Sequence, residues 1–226
     1  MEDLAKTQRP SPDGYSPQKP VLLKMAARLA HQLRITYDVH IQDGEPDRFE
    51  SERLILRHFT AGDWQDLLNI AVSKERSPFA GCDLPWPTDE QSVRDICGYF
   101  AGGTQFWAVE VKDLARVVCF VNFNGPNDQG EMDIGHVMNG EYFGHDYEYE
   151  ALGVLFDYCF TCQKPPAIIS IWPPADEDKV APLLKLGMRV AGTSIAKKFR
   201  APADGSPVDF ESGTLRITAE EWENFR

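Results

Sequence analysis

The chain has 226 residues and carries 35 Asp and Glu against 23 Lys and Arg, a formal net charge of −12. That balance excludes nucleic acid as the expected partner, because phosphate contacts need clustered Lys and Arg. It suits a cationic amine or a basic peptide, and it opposes a polyanion unless the local field differs from the global one. An apolar share of 42% and five cysteines, an odd number, suit one ample soluble domain with free thiols. With no membrane-length apolar run and no signal-peptide core, the expected location is cytoplasmic, with no membrane partner.

In chain order, residues 1–20 hold Pro10, Pro12, Pro17 and Pro20 among polar residues, which reads as a loosely draped arm. Val21, Leu22, Met25, Leu29 and Leu33 fall on one helical stripe. Ile35, Tyr37, Val39 and Ile41 then alternate with polar residues as in a half-buried strand, and Asp43-Gly44 signals a turn. Residues 1–50 are therefore expected to form an arm and a helix–strand extension, placed either at a sheet edge or at a homodimer contact. Residues 51–226 read as the main domain. In it, Ser51 to Arg57 is a first strand, Asp63-Trp64 opens a helix with Leu67, Leu68 and Ala71 inward, and Thr88-Asp89-Glu90-Gln91 caps a second helix.

Phe106 to Val111 and Val117 to Val121 read as successive strands with a turn near Lys112-Asp113. A strand from Asp133 to Met138 leads through a glycine-containing turn into a helix from Tyr147 to Cys162, which Pro165-Pro166 ends. Ala167 to Trp172 is a short apolar strand, Asp176 to Leu186 a helix closing on Gly187, and Met188 to Arg200 a further strand. A strand followed directly by a tight loop and a helix start presents free backbone N–H groups to an anion.

Four segments carry a family resemblance. Ser51-Glu52-Arg53-Leu54-Ile55-Leu56-Arg57, Asp133-Ile134-Gly135-His136, Phe143 to Leu152 and Thr214 to Trp222 resemble, in order, the "TERLILR", "EIGY", "WGKGYATEAL" and "YSLTREEW" segments of one group of enzymes. That group is the RimJ/RimL-like branch of the GNAT superfamily of acyl-CoA-dependent N-acetyltransferases. The resemblance implies an α/β (α+β) GNAT fold, with a mixed, mostly antiparallel sheet of about seven strands flanked by helices. It also implies acetyl-CoA as co-substrate, no metal, and direct acetyl transfer to a primary amine of a small molecule or a protein N-terminus.

Residue by residue, the resemblance places Val137 and Met138 along the pantetheine arm. Phe143, Gly144, His145, Asp146, Tyr147 and Glu148 fall at the pyrophosphate. Asp176 and Lys185 lie in a second coenzyme-contacting segment that reads "NxxSxxxLEKLGF" in the family and runs here from Asp176 to Met188. Three letters of the pyrophosphate loop differ from the family's pattern: Phe143 stands for a basic residue, Asp146 for a glycine, and Glu148 for a small residue. Facing a diphosphate, either carboxylate would repel it by about 1 kcal/mol in water at 5 Å, and about 3 kcal/mol at an effective dielectric of 20.

Asp133 and His136 are the candidate catalytic residues, with Glu110 on a neighbouring strand. Alternation along a strand puts Asp133 and His136 on opposite faces, and a histidine is a residue type suited to act as a base. Trp86, Trp107 and Phe123 are candidates for an acceptor cleft, although core packing accounts for them as well. The C-x-x-C of Cys159 and Cys162 fits the apolar face of its helix better than a metal or redox role. Two functions stay open: an N-acetyltransferase, or a non-catalytic GNAT-fold binding or regulatory protein that has lost the coenzyme.

Overall fold

The computed structural model describes residues 35–42, 45–201, 205 and 207–226. The expected arm, the stripe from Val21 to Leu33 and the Asp43-Gly44 turn lie outside the described residues. Strands β1 (Tyr37–Gln42), β2 (Glu45–Ser51), β3 (Leu54–His58), β4 (Phe106–Val111), β5 (Arg116–Pro126) and β6 (Met132–Met138) are consecutive neighbours in one sheet. Strands β7 (Ala167–Trp172), β8 (Arg189–Lys197) and β9 (Asp209–Thr218) complete it in the order β1-β2-β3-β4-β5-β6-β7-β9-β8. The sheet has nine strands, against about seven expected for the main domain, because β1, the strand expected from Ile35 to Ile41, and β2, which was not expected, extend it as an antiparallel pair.

All neighbours pair antiparallel except β6 and β7. Strand β5 runs buried from Val117 to Val121 without a break, the mark of a central strand covered on both faces. Toward one face, Trp107, Val109, Cys119, Val121, Phe123 and Ile134 pack against helix α3 (Tyr147–Tyr158). Toward the other, Ala108, Val117 and Phe120 pack against Leu67 and Ile70 of helix α1 (Trp64–Arg76) and Val93 and Cys97 of helix α2 (Glu90–Ala101). The result is three layers, helix, sheet and helix.

Helix α2 starts where the sequence indicates, with Asp89 accepting from the Ser92 N–H at 3.0 Å. Helix α3 is buried from Glu150 to Asp157, and it widens at Cys159–Gln163 into a π-helical turn that Lys164 closes with φ 53°. Cys159 belongs to the core, as expected from its place on the apolar stripe. Helix α4 (Glu177–Lys185) ends at Gly187, whose φ of 86° suits glycine. Helix α5 (Ala219–Phe225) opens with a capping box between Thr218 and Glu221. Among the described residues no helix is long and apolar enough to cross a membrane.

Candidate active site

The single parallel pair makes the site. Strands β6 and β7 are bonded only at Met132↔Ile168 and Asp133↔Ile169. Beyond that point β6 stays with β5 as far as Met138, while β7 stays with β9 as far as Trp172. The two strands part, and a cleft of about 500 Å³ lies between them. His136, Val137 and Met138 of β6 line it, together with Trp172, the C-terminal turn of α1 and the first residues of α4.

At the floor, His136 is 1% exposed and its Nδ1 lies 2.5 Å from Glu148 Oε1. The Cys119 thiol donates to the same oxygen at 3.8 Å, and burial together with that carboxylate holds the thiol well above its ordinary pKa. His136 Nε2 is buried and has no partner among the described residues. With Nδ1–H directed at a carboxylate, the neutral ring carries its lone pair on Nε2.

Lys179 forms the opposite wall. Its Nζ stands 3.4 Å from the centre of the Trp172 ring. The Trp172 indole in turn donates to Asp176 Oδ2 at 2.7 Å. Burial pulls the Lys179 ammonium down to about 8, against the opposing pull of the Glu148, Asp83 and Asp176 carboxylates. Lys74, at the end of α1, is buried and donates to the Leu84 carbonyl at 3.0 Å.

Beside the cleft lies a recess of about 200 Å³, lined by Phe143, Gly144, Asp146, Tyr147 and Lys185 among others. The first backbone bond of α3 runs from the Glu150 N–H to the Asp146 carbonyl at 3.0 Å, and the helix has no side-chain cap. The N–H groups of Tyr147, Glu148 and Tyr149 therefore precede the first helical bond and stand at the positive end of the helix dipole. Gly144 and Asp146 both take positive φ, 81° and 61°, which turns the chain sharply enough to bring those amides to the recess. Arg53, in the bend between β2 and β3, anchors the turn, donating to Glu150 Oε2 at 2.8 and 2.6 Å and to the His145 carbonyl at 3.0 Å.

The two carboxylates of this loop do not stand free. Asp146 Oδ2 accepts from Lys185 Nζ at 2.7 Å, and Glu148 points down into the sheet toward His136. The repulsion expected from the sequence is thereby offset at Asp146 by a cation and withdrawn at Glu148 by burial. Periodicity carried the signal: Leu152 is fully buried, and Glu148, one helical turn earlier, shares its face.

Most residues expected at the coenzyme meet around these two connected cavities. Val137, Met138, Phe143, Glu148 and Asp176 line the cleft, and Gly144, Asp146, Tyr147 and Lys185 line the recess. His145 lines neither; its ring stacks on Tyr147 at 5.4 Å. Asp133 is bonded to Asn124 at 3.2 Å and is not part of the cleft wall; burial raises its pKa. Glu110 is held by Arg57 at 2.9 Å, away from the cleft.

The three aromatic residues expected to share an acceptor cleft do not meet. Trp86 stacks on Phe120 at 5.7 Å in the α1–α2 layer. Trp107 and Phe123 face the α3 layer, beside a different cavity. Two wall residues, Lys74 and Trp172, were not singled out by sequence reasoning; each reads as an ordinary member of its helix or strand until the fold brings it to the cleft. Among the described residues no group of three or more His, Cys, Asp or Glu side chains could hold a metal ion.

A mostly antiparallel sheet parted at one parallel pair, with an uncapped helix start at the opening, defines an α/β protein with a cleft at the split. The sequence matches the acetyltransferase (GNAT) domain over residues 53–189, more than half of the chain, and the chain belongs to that family. Among curated proteins no relative matches.

Among solved structures, an acetyltransferase of the GNAT family from Bacillus anthracis is similar, with a TM-score of 0.63 and 21% identity over 77% of this chain and 99% of that one. The ribosomal-protein-S5-alanine acetyltransferase from Vibrio fischeri superposes with a TM-score of 0.61 and 17% identity, over 77% of this chain and 98% of that one. RimJ from Mycobacterium smegmatis, in complex with CoA-disulfide, gives 0.57 and 19%, over 74% and 83%. At these identities the likeness is one of fold.

Proposed function

We propose that the protein is an acyl-CoA-dependent N-acetyltransferase acting on a primary amine, of a small molecule or a protein N-terminus, by direct transfer. The observation that carries this reading is the cleft between β6 and β7 with the uncapped start of α3 at its mouth. Acetyl-CoA would supply the activated acetyl thioester. The residues fit such a group: the amides of Tyr147, Glu148 and Tyr149 are available to an anion, Lys185 stands beside them, and the cleft holds Val137, Met138 and Phe143 for an apolar arm. Asp146 competes for Lys185 and sets a cost on binding.

Within the cleft, His136 is the group we assign to proton removal. Glu148 holds the ring by Nδ1 and leaves Nε2 as the acceptor. An ammonium seated at the floor supplies the partner that Nε2 lacks, and the Glu148 carboxylate stabilises the imidazolium that forms. Among neighbours in fold, one is described as acting on ribosomal protein S5 alanine and another as a spermidine N-acetyltransferase chimera; both acceptors are amines.

The test is thiol release from acetyl-CoA by the purified protein, against a panel of polyamines and peptides with free N-termini. Acceptor-dependent release that falls at least tenfold in His136→Gln supports the reading. A folded protein that binds no acyl-CoA overturns it and leaves the non-catalytic GNAT-fold binding protein.

A further inference from the structure

A second cavity, of about 490 Å³, lies under the C-terminal end of α3, among β2, β3, β4 and β5. It shares no lining residue with the cleft or the recess. Pro46, Trp107 and Phe123 form buried parts of its wall, while Gln105 stands exposed at its edge. The aromatic rings there are mutually packed: Trp107 lies 4.4 Å from His58 and 6.0 Å from Tyr158, and Phe123 lies 6.2 Å from Tyr158.

Three polar atoms in this one wall are buried and have no hydrogen-bond partner among the described residues: Asp47 Oδ1, His58 Nδ1 and Trp107 Nε1. Buried polar groups are nearly always paired, so three orphans around a single cavity need a common explanation. Their chemistry is specific. Asp47 offers a carboxylate oxygen. Burial lowers the pKa of His58 against the opposing pull of the Phe106 backbone and Asp47, and in the neutral tautomer protonated on the other nitrogen, Nδ1 is an acceptor. Trp107 Nε1 can only donate.

We propose that this cavity is a second ligand site, for a small ammonium compound that also carries a hydroxyl or carbonyl oxygen. The ammonium donates to Asp47 and His58 and rests against the faces of Trp107, Tyr158 and Phe123. The oxygen accepts from the Trp107 indole. An anion is disfavoured by Asp47, and a purely apolar molecule leaves all three atoms unpaired. Water alone could reach the same atoms, so discrimination between a cation and a neutral polar molecule is what the site predicts.

The site is independent of the acetyl-transfer reading, and its test is chosen to remain so. The full-length protein is labelled at its tryptophan indoles, and the Trp107 indole N–H resonance, assigned by its loss in Trp107→Phe, is followed during titration with ethanolamine. Ethylene glycol and acetate serve as neutral and anionic controls, in the presence and absence of desulfo-CoA. A saturable shift with ethanolamine, at least tenfold weaker in Asp47→Asn and unchanged by desulfo-CoA, is the expected result. No saturable shift, an equal response to ethylene glycol, or loss of the shift when desulfo-CoA is present would each overturn the proposal. If Asp47→Asn fails to fold, the contrast between ethanolamine and ethylene glycol on the native chain decides the matter alone.

Discussion

Replacing Asp146 with glycine should tighten coenzyme A binding about tenfold. Two terms contribute. Removing a carboxylate about 5 Å from a phosphate relieves about 1 kcal/mol in water and about 3 kcal/mol at an effective dielectric of 20. The side chain is 56% exposed, which places the relief near the lower figure. The substitution also releases Lys185, held at 2.7 Å, to face the incoming anion. Together the two reach about 1.4 kcal/mol, the value of a tenfold change.

Folding stability should barely move. An exposed ion pair contributes only about 0–1 kcal/mol, and glycine at φ 61° removes a left-handed backbone cost of similar size. The assay is calorimetric titration with coenzyme A at low and high salt. The gain should shrink as salt screens the exposed charges. Equal affinity in the native and variant proteins at low salt, or a gain that ignores salt, would refute the reasoning.

Two further outcomes follow from the same geometry. Gly187→Ala should destabilise the fold by about 1–2 kcal/mol, the left-handed penalty for a residue with a Cβ, and so lower Tm by about 2–4 °C per kcal/mol in thermal unfolding. The position closes α4 through the Gly187 N–H to the Leu184 carbonyl and the Met188 N–H to the Leu183 carbonyl, and an added Cβ would stand 3.0 Å from Phe225. For Lys179, the folded pKa of about 8 lies below the usual 10.5, so between those values the unfolded chain binds more protons and stability rises with pH. Urea unfolding should show the native chain gaining on Lys179→Met from about pH 8 to 10.5, whereas a constant difference across that window would contradict the assignment.

Much of the fold was legible because its elements repeat at their own periods. Strand β7 begins and ends at the residues the apolar run marks, and α2 starts at the Asp89 cap. Strand β2 was not legible: Glu-Pro-Asp-Arg-Phe-Glu-Ser has one large apolar residue, Phe49, and becomes a strand through pairing with β1 and β3 on either side. Around the site, the loop from Phe143 to Glu148 was legible as a place but not as an electrostatic state. Local sequence shows Asp146 and Glu148; it does not show that Lys185, on a separate helix, reaches the first or that His136 reaches the second. The separation of Trp86 from Trp107 and Phe123 was hidden for a related reason, since the β4–β5 register and the choice of face are tertiary facts.

The pairing of His136 with Glu148 gives two of the departures from the family pattern a single cause. In the segments this chain resembles, the strand ends in a tyrosine where His136 stands, and the loop has a small residue where Glu148 stands. Without the histidine, a carboxylate at the second position would keep only the Cys119 thiol at 3.8 Å; with a histidine on β6, it has a partner at 2.5 Å. The two exchanges should therefore be coupled. Glu148→Ala leaves the His136 Nδ1 buried and unpaired, at a cost of about 1–3 kcal/mol. His136→Tyr leaves a buried carboxylate with only the weak Cys119 thiol donor, at a cost of about 3–5 kcal/mol. The double variant removes both orphans, and its loss in urea unfolding should fall short of the sum by about 1–3 kcal/mol. Coenzyme A affinity should survive in the double variant, because the amides of α3 are untouched, while acceptor-dependent thiol release should be lost with the base. Strictly additive losses would mean that the two residues are neighbours without being partners, and the assignment of proton removal to His136 would lose its support.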